Sequence, residues 1–197
     1  MDAARAIARE HGRGQSTDEM LAAALAAASD GGDGLREILD TLDAPIYVTD
    51  AEGLVVSFNR ACIDFAGRTP LPGEDRWCVT WRLYTEGGDH LPHDQCPMAV
   101  AIKEARAIRN VVAVAERPDG TRVLFIPHPT PILDANGTLT GAVNLLLDVT
   151  DRRQAEALDV QAARCRRLAQ SLTDSRTVET LSTMAAEYEE KARNLRR

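Results

Sequence analysis

The spacing of hydrophobic residues changes twice along the chain, from a helical period to a period of two and back. Alanine dominates residues 1–34, and Ser16 with Glu19 forms a capping box that predicts a helix over residues 20–28. Residues 29–34 then contain three glycines, which predicts a flexible break. We interpret residues 1–34 as an N-terminal helical arm and linker.

A second helix and a pair of strands are predicted next. Helical spacing ends at Pro45, and its apolar positions are Leu35, Ile38, Leu39 and Leu42. The period becomes two over residues 46–50 and 54–59, and a glycine-containing turn between them predicts a β-hairpin. A short helix over residues 61–66 follows and ends at Gly67.

The segment of residues 67–97 has no regular pattern and contains both tryptophans. A loop of this length inside a compact domain is usually functional. Beyond it, Pro97 suits the first turn of a helix predicted over residues 98–107. Trp77 and Trp81, with Tyr84 nearby, are candidates for lining the mouth of a ligand cavity. The alternative is that they seal the core from the loop side.

Three further strands are predicted over residues 110–116, 121–128 and 138–149, and tight turns containing glycine join them. The order of elements, β-β-α-loop-α-β-β-β, predicts an α+β fold. We expect a five-stranded antiparallel sheet with helices packed on one face.

The last predicted strand leads into a polar helix almost without a loop. Thr150 or Asp151 is positioned to act as the N-cap of that helix. A strand joined this closely to a helix can pass strain in the sheet to the helix. The junction therefore indicates a sensor or adaptor rather than an enzyme.

The tail is predicted to form two helices separated by a break at residues 173–175, with Asp174 as N-cap of the second. Its apolar residues follow a heptad seam for a short distance: Leu158, Ala162, Cys165, Ala169 and Leu172, then Val178, Leu181, Ala185, Tyr188, Ala192 and Leu195. The pattern leaves open whether the two helices form an intrachain hairpin or a bundle between chains.

Composition narrows the class of protein. The net charge is −7 and no basic patch precedes residue 150, which argues against nucleic-acid binding. No apolar run approaches the roughly 20 residues of a membrane span. The four cysteines are irregularly spaced, which indicates reduced thiols and a cytoplasmic protein.

Motifs for catalysis and metal binding are weak. The chain has no Gly-x-Ser-x-Gly motif, no Walker loop and no Gly-x-Gly-x-x-Gly motif, so we expect no enzymatic activity and assign no catalytic residue. His90, His93 and Cys96 are spaced like ligands, but a structural zinc site normally needs four. We therefore interpret this segment as a polar loop and expect no metal.

Residues 35–153 resemble a PAS domain, the small sensor fold of bacterial signalling proteins. The resemblance rests on the order of several short motifs: Tyr47-Val-Thr-Asp50, Phe58-Asn59, Arg117-Pro-Asp-Gly120, Asp134-Ala-Asn-Gly137 and Asp148-Val149-Thr150. It implies the strand order 2-1-5-4-3, a ligand cavity between sheet and helices, and signal output through Asp148, Val149 and Thr150. The predicted domains are residues 1–34, 35–153 and 154–197.

The resemblance implies a stand-alone cytoplasmic PAS signal-transduction protein. We expect it to form a homodimer and to act, by ligand sensing or protein–protein interaction, on a regulatory partner in trans such as a histidine kinase. The alternative is a receptor for a small molecule or a cofactor, haem or flavin. The cofactor stays unknown: Cys62 and Cys78 lack the Asn-Cys-Arg-Phe motif of flavin-binding LOV domains, and the candidate haem ligands are His90, His93 and His128. A transcription factor is the weakest interpretation.

Overall fold

The structure, a computed structural model, describes residues 15–30 and 34–196. The rest of the predicted arm and linker, residues 1–14 and 31–33, lies outside the described residues. The elements in chain order are α1 (Thr17–Asp30), α2 (Leu35–Leu39), β1 (Ile46–Asp50), β2 (Val55–Phe58), α3 (Arg60–Ala66), β3 (Arg82–Thr85), a 3-10 helix (His93–Gln95), α4 (Pro97–Lys103), β4 (Ala113–Glu116), β5 (Arg122–Leu133), β6 (Leu139–Asp148), α5 (Thr150–Gln170) and α6 (Ser175–Leu195).

The chain divides into two units, which we call the sheet unit, ending at Leu147, and the tail unit, beginning at Asp148. The six strands form one sheet in the order β2-β1-β6-β5-β4-β3. The pairs β1–β2, β1–β6, β3–β4 and β4–β5 are antiparallel. Without β3, this is the predicted order 2-1-5-4-3. The α+β fold and the strand order are therefore confirmed, and the predicted number of strands was one too few.

The additional strand, β3, lies at the edge of the sheet inside the segment that looked irregular. It pairs with β4 through four residues, and Leu83 is its one fully buried side chain. A four-residue strand with a single buried apolar position shows almost no alternation, so periodicity could not detect it.

Strand β5 continues to Leu133, beyond the predicted end at residue 128. Its prolines are tolerated because they lie past the residues that pair with β4, where the missing proline N–H breaks no hydrogen bond to that strand. Pairing with β4 ends at Phe125, and the Pro129 carbonyl accepts a hydrogen bond from Ile108 N (3.2 Å) in the irregular segment before β4. Proline is tolerated on such an unpaired strand margin.

Both faces of the sheet are buried. On one face, α3 and α4 pack over Tyr47, Phe125 and Leu146; we call these residues and their neighbours the interior cluster. On the other face, α1 packs its Met20 and Leu21 against strands β1 and β6. The predicted placement of helices on one face is therefore incomplete. The arm helix covers the second face, and its capping box is present, with Ser16 N donating to Glu19 Oε2 (2.8 Å).

Helices α5 and α6 pack against each other as an intrachain hairpin. The core of this hairpin consists of Ala162, Cys165 and Ala185, with Leu181 and Tyr188 packed against it. Asp174 caps α6 as predicted, because its Oδ2 accepts Thr177 N (2.8 Å). None of the helices in the described part of the chain combines the length and apolar character that crossing a membrane requires.

Candidate functional site

A buried polar network lies at the centre of the interior cluster. The fully buried Tyr47 donates its hydroxyl to the Trp77 carbonyl oxygen (2.9 Å) and accepts from Asn144 Nδ2 (3.0 Å). Tyr47 on β1 lies directly opposite Asn144 on β6, and Asn144 Oδ1 accepts the backbone N–H of His128 on β5 (3.0 Å). Two side chains thus connect three neighbouring strands and the loop that precedes β3.

Two thiols adjoin this network. Cys78 Sγ lies 3.1 Å from Thr80 Oγ1, and Cys96 Sγ lies 3.9 Å from the Trp77 carbonyl oxygen. Burial raises the pKa of Cys78, and it raises the pKa of Cys96 to about 12 and that of Tyr47 well above its ordinary value. These groups are therefore neutral at physiological pH, and the thiols are poor nucleophiles.

Trp77 seals the interior on the loop side. Its backbone is left-handed (φ 68°), and its N–H donates to the Gly53 carbonyl oxygen (2.7 Å). A Cβ at Gly53 would come within 2.2 Å of the indole ring, so this position has room for glycine alone. Trp77 therefore closes the core from the loop side, which was the alternative to lining the mouth of a ligand cavity.

The other two predicted cavity residues lie elsewhere. Trp81 precedes β3 and is 51% exposed. Tyr84 follows the inward-facing Leu83 on β3, so it points to the opposite face of the sheet. There its ring lies under the Arg122 guanidinium (4.2 Å to the ring centroid). Of the three aromatic residues, Trp77 alone packs against the interior cluster.

The interior is filled by the protein's own side chains. Phe65 and Phe125 pack edge to face with centroids 5.2 Å apart, and Tyr47 and Met98 are almost completely buried beside them. An isoalloxazine ring or a haem would need the space that these side chains occupy. The residues present therefore do not fit either group.

Thr49 carries a polar atom that lacks a partner in the interior. Thr49 is almost completely buried on β1, and its Oγ1 has no hydrogen-bond partner. Thr49 lies opposite Val55 and Ala142, and both belong to the interior cluster. An unsatisfied buried hydroxyl is costly, and it marks a place for one polar atom of a small molecule or a water.

The three histidines in the described part of the chain do not converge on one site. His90 forms an isolated bridge with Tyr84, His93 begins the 3-10 helix, and His128 lies half-buried on β5. Burial, and secondarily the Arg68 charge, lowers the pKa of His93. Within residues 15–30 and 34–196, no three His, Cys, Asp or Glu side chains group as metal ligands.

The junction between β6 and α5 is short and hydrogen-bonded. Helix α5 begins at Thr150, whose N–H donates to Asp148 Oδ1 (2.8 Å), and Arg153 N donates to the Val149 carbonyl oxygen (2.9 Å). The prediction that Thr150 or Asp151 caps the helix is wrong, because both residues lie inside the helix and its N-cap residue is Val149, which forms no side-chain capping hydrogen bond. The predicted relay residues Asp148, Val149 and Thr150 are contiguous with the strand that carries Asn144.

Sequence reasoning missed Tyr47, Asn144 and Thr49 as site residues. Asn144 did carry a signal, because it is a lone amide within the apolar run Val143–Leu147. A buried amide normally has hydrogen-bond partners, so this position implied an internal network.

Comparisons with known proteins return PAS and LOV structures. No protein-family model matches the chain, and no curated protein matches it. An RNA-binding light-oxygen-voltage receptor is 25% identical over 59% of this chain and 32% of its own, with a TM-score of 0.46. The chain thus spans about a third of that receptor.

In two other similar structures, the match with this chain extends over most of the structure's own length. The PAS domain of the fruit-fly ELK potassium channel is 12% identical over 54% of this chain and 87% of its own (TM-score 0.44). The Rhodobacter sphaeroides LOV protein is 15% identical over 92% of this chain and 99% of its own (TM-score 0.45). Five of the six strands of the sheet unit have the order 2-1-5-4-3, which is the order that the resemblance to PAS domains implied.

Proposed function

We propose that this chain is a PAS signal-transduction protein that acts on a regulatory protein partner in trans, with a histidine kinase as the expected class of partner. One observation carries the proposal: β6 holds Asn144 in the interior network and ends at Asp148, whose Oδ1 accepts the N–H of Thr150, the first residue of α5. A change in the network can therefore reach the helix through a single strand.

The proposed signal is a shift between two arrangements of the network. Tyr47 and Asn144 share one hydrogen bond, so an event that reorients either group changes the environment of β6. A ligand or partner shifts such an equilibrium only by its difference in affinity for the two arrangements. We expect the protein to do this as a cytoplasmic homodimer without catalysing a reaction.

The variant Tyr47→Phe tests the coupling, because it removes the hydroxyl and retains the buried ring. We expect faster or slower hydrogen exchange at the amides of the first turns of α5, measured by mass spectrometry. Tyr84→Phe is the matched control, since its hydroxyl bonds Glu116 on the other side of the sheet (3.4 Å). Equal exchange in α5 for Tyr47→Phe and the wild type would contradict the proposal.

The partner is tested by affinity capture with the wild type and with Asp148→Ala, followed by identification of the captured proteins. We expect a signalling protein, such as a histidine kinase, whose yield changes when the Asp148 acceptor is removed. Capture of the same proteins in the same amounts by both forms would exclude output through this junction.

A second candidate function, small-molecule sensing, is favoured by the unpartnered Thr49 hydroxyl. The variant Thr49→Val keeps the shape of the side chain and removes the hydroxyl. If the hydroxyl binds nothing, this variant should be more stable than the wild type. Lower stability, together with an added mass in native mass spectrometry of the wild type, would favour a bound ligand.

A further inference from the structure

A groove lies on the face of the sheet that α1 covers, beside the ends of α1 and β5. It has a volume of about 470 Å³, which is within the range of sites that bind small molecules. Its apolar wall consists of Ala28, Leu35, Val48, Val56, Ile132 and Leu133. Val56 and Leu133 are 48% and 50% exposed, so this wall presents apolar surface to water.

Two carboxylates, those of Asp50 and Asp134, line the groove. Strands β1 and β5 are both neighbours of β6, and each leads at this end of the sheet into an Asp-x-x-Gly turn, residues 50–53 and 134–137. In each turn the aspartate Oδ1 accepts two backbone N–H groups at 2.8 to 3.0 Å, which holds the carboxylate in place. These N–H groups lower the pKa of Asp134, so its carboxylate is ionised at neutral pH.

The end of α1 adds a third source of negative charge. Ala28 and Ser29, near the C-terminal end of α1, line the groove. The C-terminal end of a helix carries partial negative charge, which favours a cation nearby. The last turn of α1 contains no basic residue, and the described residues that line the groove include no Lys, Arg or His. The wall is therefore apolar and negative, without a positive side chain of its own.

We propose that this groove binds a small organic cation, a protonated amine or a quaternary ammonium compound with an apolar body. The apolar body packs on Val56 and Leu133, and the cationic group faces the carboxylates of Asp50 and Asp134. Tyr47 and the interior cluster lie on the opposite face of the sheet. The groove is therefore a site separate from the interior network and goes beyond the proposed function.

The charges and the size of the groove select this class of ligand. Both carboxylates would repel an anion, and a neutral apolar molecule would contact the wall without gaining from the charges. Ion pairs as exposed as these contribute little free energy. The apolar wall therefore supplies most of the affinity, and the carboxylates supply the selectivity for a cation.

The first experiment follows amide chemical shifts in two-dimensional 1H–15N NMR spectra of the full-length protein at neutral pH. The probes share a phenyl ring and differ in charge: 2-phenylethylamine, 2-phenylethanol and 3-phenylpropanoate. We expect 2-phenylethylamine to shift amides of the groove, such as those of Ser29, Val56 and Thr140, with a dissociation constant of about 10 mM or lower. The alcohol should bind at least about threefold more weakly, and the anion should not shift these amides.

The second experiment removes the charges. The variant Asp50→Asn/Asp134→Asn keeps a side-chain oxygen that can accept the N–H groups of each turn, so the turns should remain folded. It should bind 2-phenylethylamine no more tightly than 2-phenylethanol. Asp119→Asn is the matched control, because Asp119 Oδ1 also accepts a backbone N–H in a turn, that of Thr121 (2.9 Å), but at the other end of β5. It should keep the wild-type preference.

The third experiment shortens the apolar wall. Leu133→Ser should weaken the binding of 2-phenylethylamine and 2-phenylethanol alike, by at least about threefold, because both lose the same apolar contact. Leu71→Ser is the control, since Leu71 is 48% exposed, as Leu133 nearly is, but does not line the groove. Its variant should bind both probes like the wild type.

The outcomes separate the parts of the inference. If 2-phenylethylamine shifts no amide of the groove, the groove is not a binding site. If the alcohol binds as tightly as the amine, or if the double asparagine variant keeps the preference for the amine, the site does not select a cation. None of these results changes the expected hydrogen exchange in α5 of Tyr47→Phe, so failure of this inference is distinct from failure of the proposed function.

Discussion

The sheet interior and the helical hairpin bury their apolar residues in different ways. The interior is closed by large side chains, such as Tyr47, Phe125 and Met98, which are almost completely buried. The hairpin is closed by Ala162, Cys165 and Ala185. Small residues let two helices approach closely but cover little apolar surface. The two units therefore differ in the size of the side chains that close their cores, although each also leaves some apolar side chains exposed, such as Leu133 in the sheet unit and Leu168 in the hairpin.

The polar contacts of the two units also differ, because those of the sheet unit are buried and those of the hairpin are exposed. In the sheet unit the buried Asn59 bonds five backbone groups from α2, β1 and α3 and the chain between them. In the hairpin the polar contacts between helices are exposed ion pairs, which contribute little to stability. The sheet unit is therefore held by buried, directional hydrogen bonds, while the hairpin is held by a small apolar core and exposed ion pairs.

The largest expected effect is that of Asn59→Leu in the sheet unit. This variant removes the cap of α3 and leaves the carbonyl oxygens of Leu39, Leu42 and Ala44 without that donor. We expect the free energy of unfolding to fall by at least about 3 kcal/mol. Urea unfolding followed by tryptophan fluorescence measures it, because both tryptophans belong to this unit.

The control for Asn59 is Asn194→Leu on the exposed surface of α6. It should change stability by no more than about 0.5 kcal/mol, as is usual for surface positions. If Asn59→Leu and Asn194→Leu lowered the free energy of unfolding equally, the buried hydrogen bonds of Asn59 would not be what stabilises the sheet unit.

A slightly smaller effect is expected for Gly53→Ala, which tests the seal made by Trp77. Gly53 has a φ of 84°, and its new Cβ would lie 2.2 Å from the indole ring. The left-handed backbone alone costs about 1–2 kcal/mol, and displacement of Trp77 should raise the total to about 3 kcal/mol.

Gly73→Ala isolates the contribution of Trp77. Gly73 has a similar φ of 79°, but a Cβ there would meet no atom within 4 Å. It should therefore show the backbone cost alone in the same urea titration. If the two alanine variants were equally stable, the indole would not be held over Gly53.

In the hairpin, we expect a loss of stability when a large side chain is placed in the small core between the helices. Ala185→Leu places a large side chain between α5 and α6 and should destabilise the tail unit by about 1–3 kcal/mol. The loss should appear in the thermal unfolding of the helical circular dichroism signal. Ala186→Leu on the exposed side of α6 should have little effect, and an equal loss there would show that the alanine core does not hold the helices together.

Local signals predicted much of this fold. The capping box at Ser16, the cap at Asp174 and the turns between the last strands depend on residues close in sequence, and each formed as predicted or nearly so. The strand order came from the family resemblance. Strand β3 was missed because its four residues carry little apolar pattern.

The candidate site was harder to predict. Tyr47 and Asn144 are 97 residues apart and meet because β1 and β6 pair in one register, which sequence spacing does not reveal. Trp81 and Tyr84 were grouped with Trp77 because all three are scarce aromatics in one segment. The position of β3 at the sheet edge directs Tyr84 to the opposite face instead.

The smallest expected effect is a pH dependence confined to the sheet unit. Burial lowers the pKa of His93 and of His128 from the ordinary value of 6.5. The unfolded chain therefore binds protons more readily than the folded one as the pH falls through about 6.5. The stability from these neutral histidines is fully present above that pH and is lost progressively below it.

We expect the sheet unit to be less stable at about pH 5.5 than at about pH 7.5, as measured by urea unfolding with tryptophan fluorescence. The variant His93→Gln/His128→Gln should reduce that difference, because it removes the two side chains whose pKa burial lowers in the folded protein. The tail contains no histidine, so its helical signal should change little over this range. An equal loss in both units would mean that carboxylates dominate the pH response, and the contrast between the units would not extend to titration.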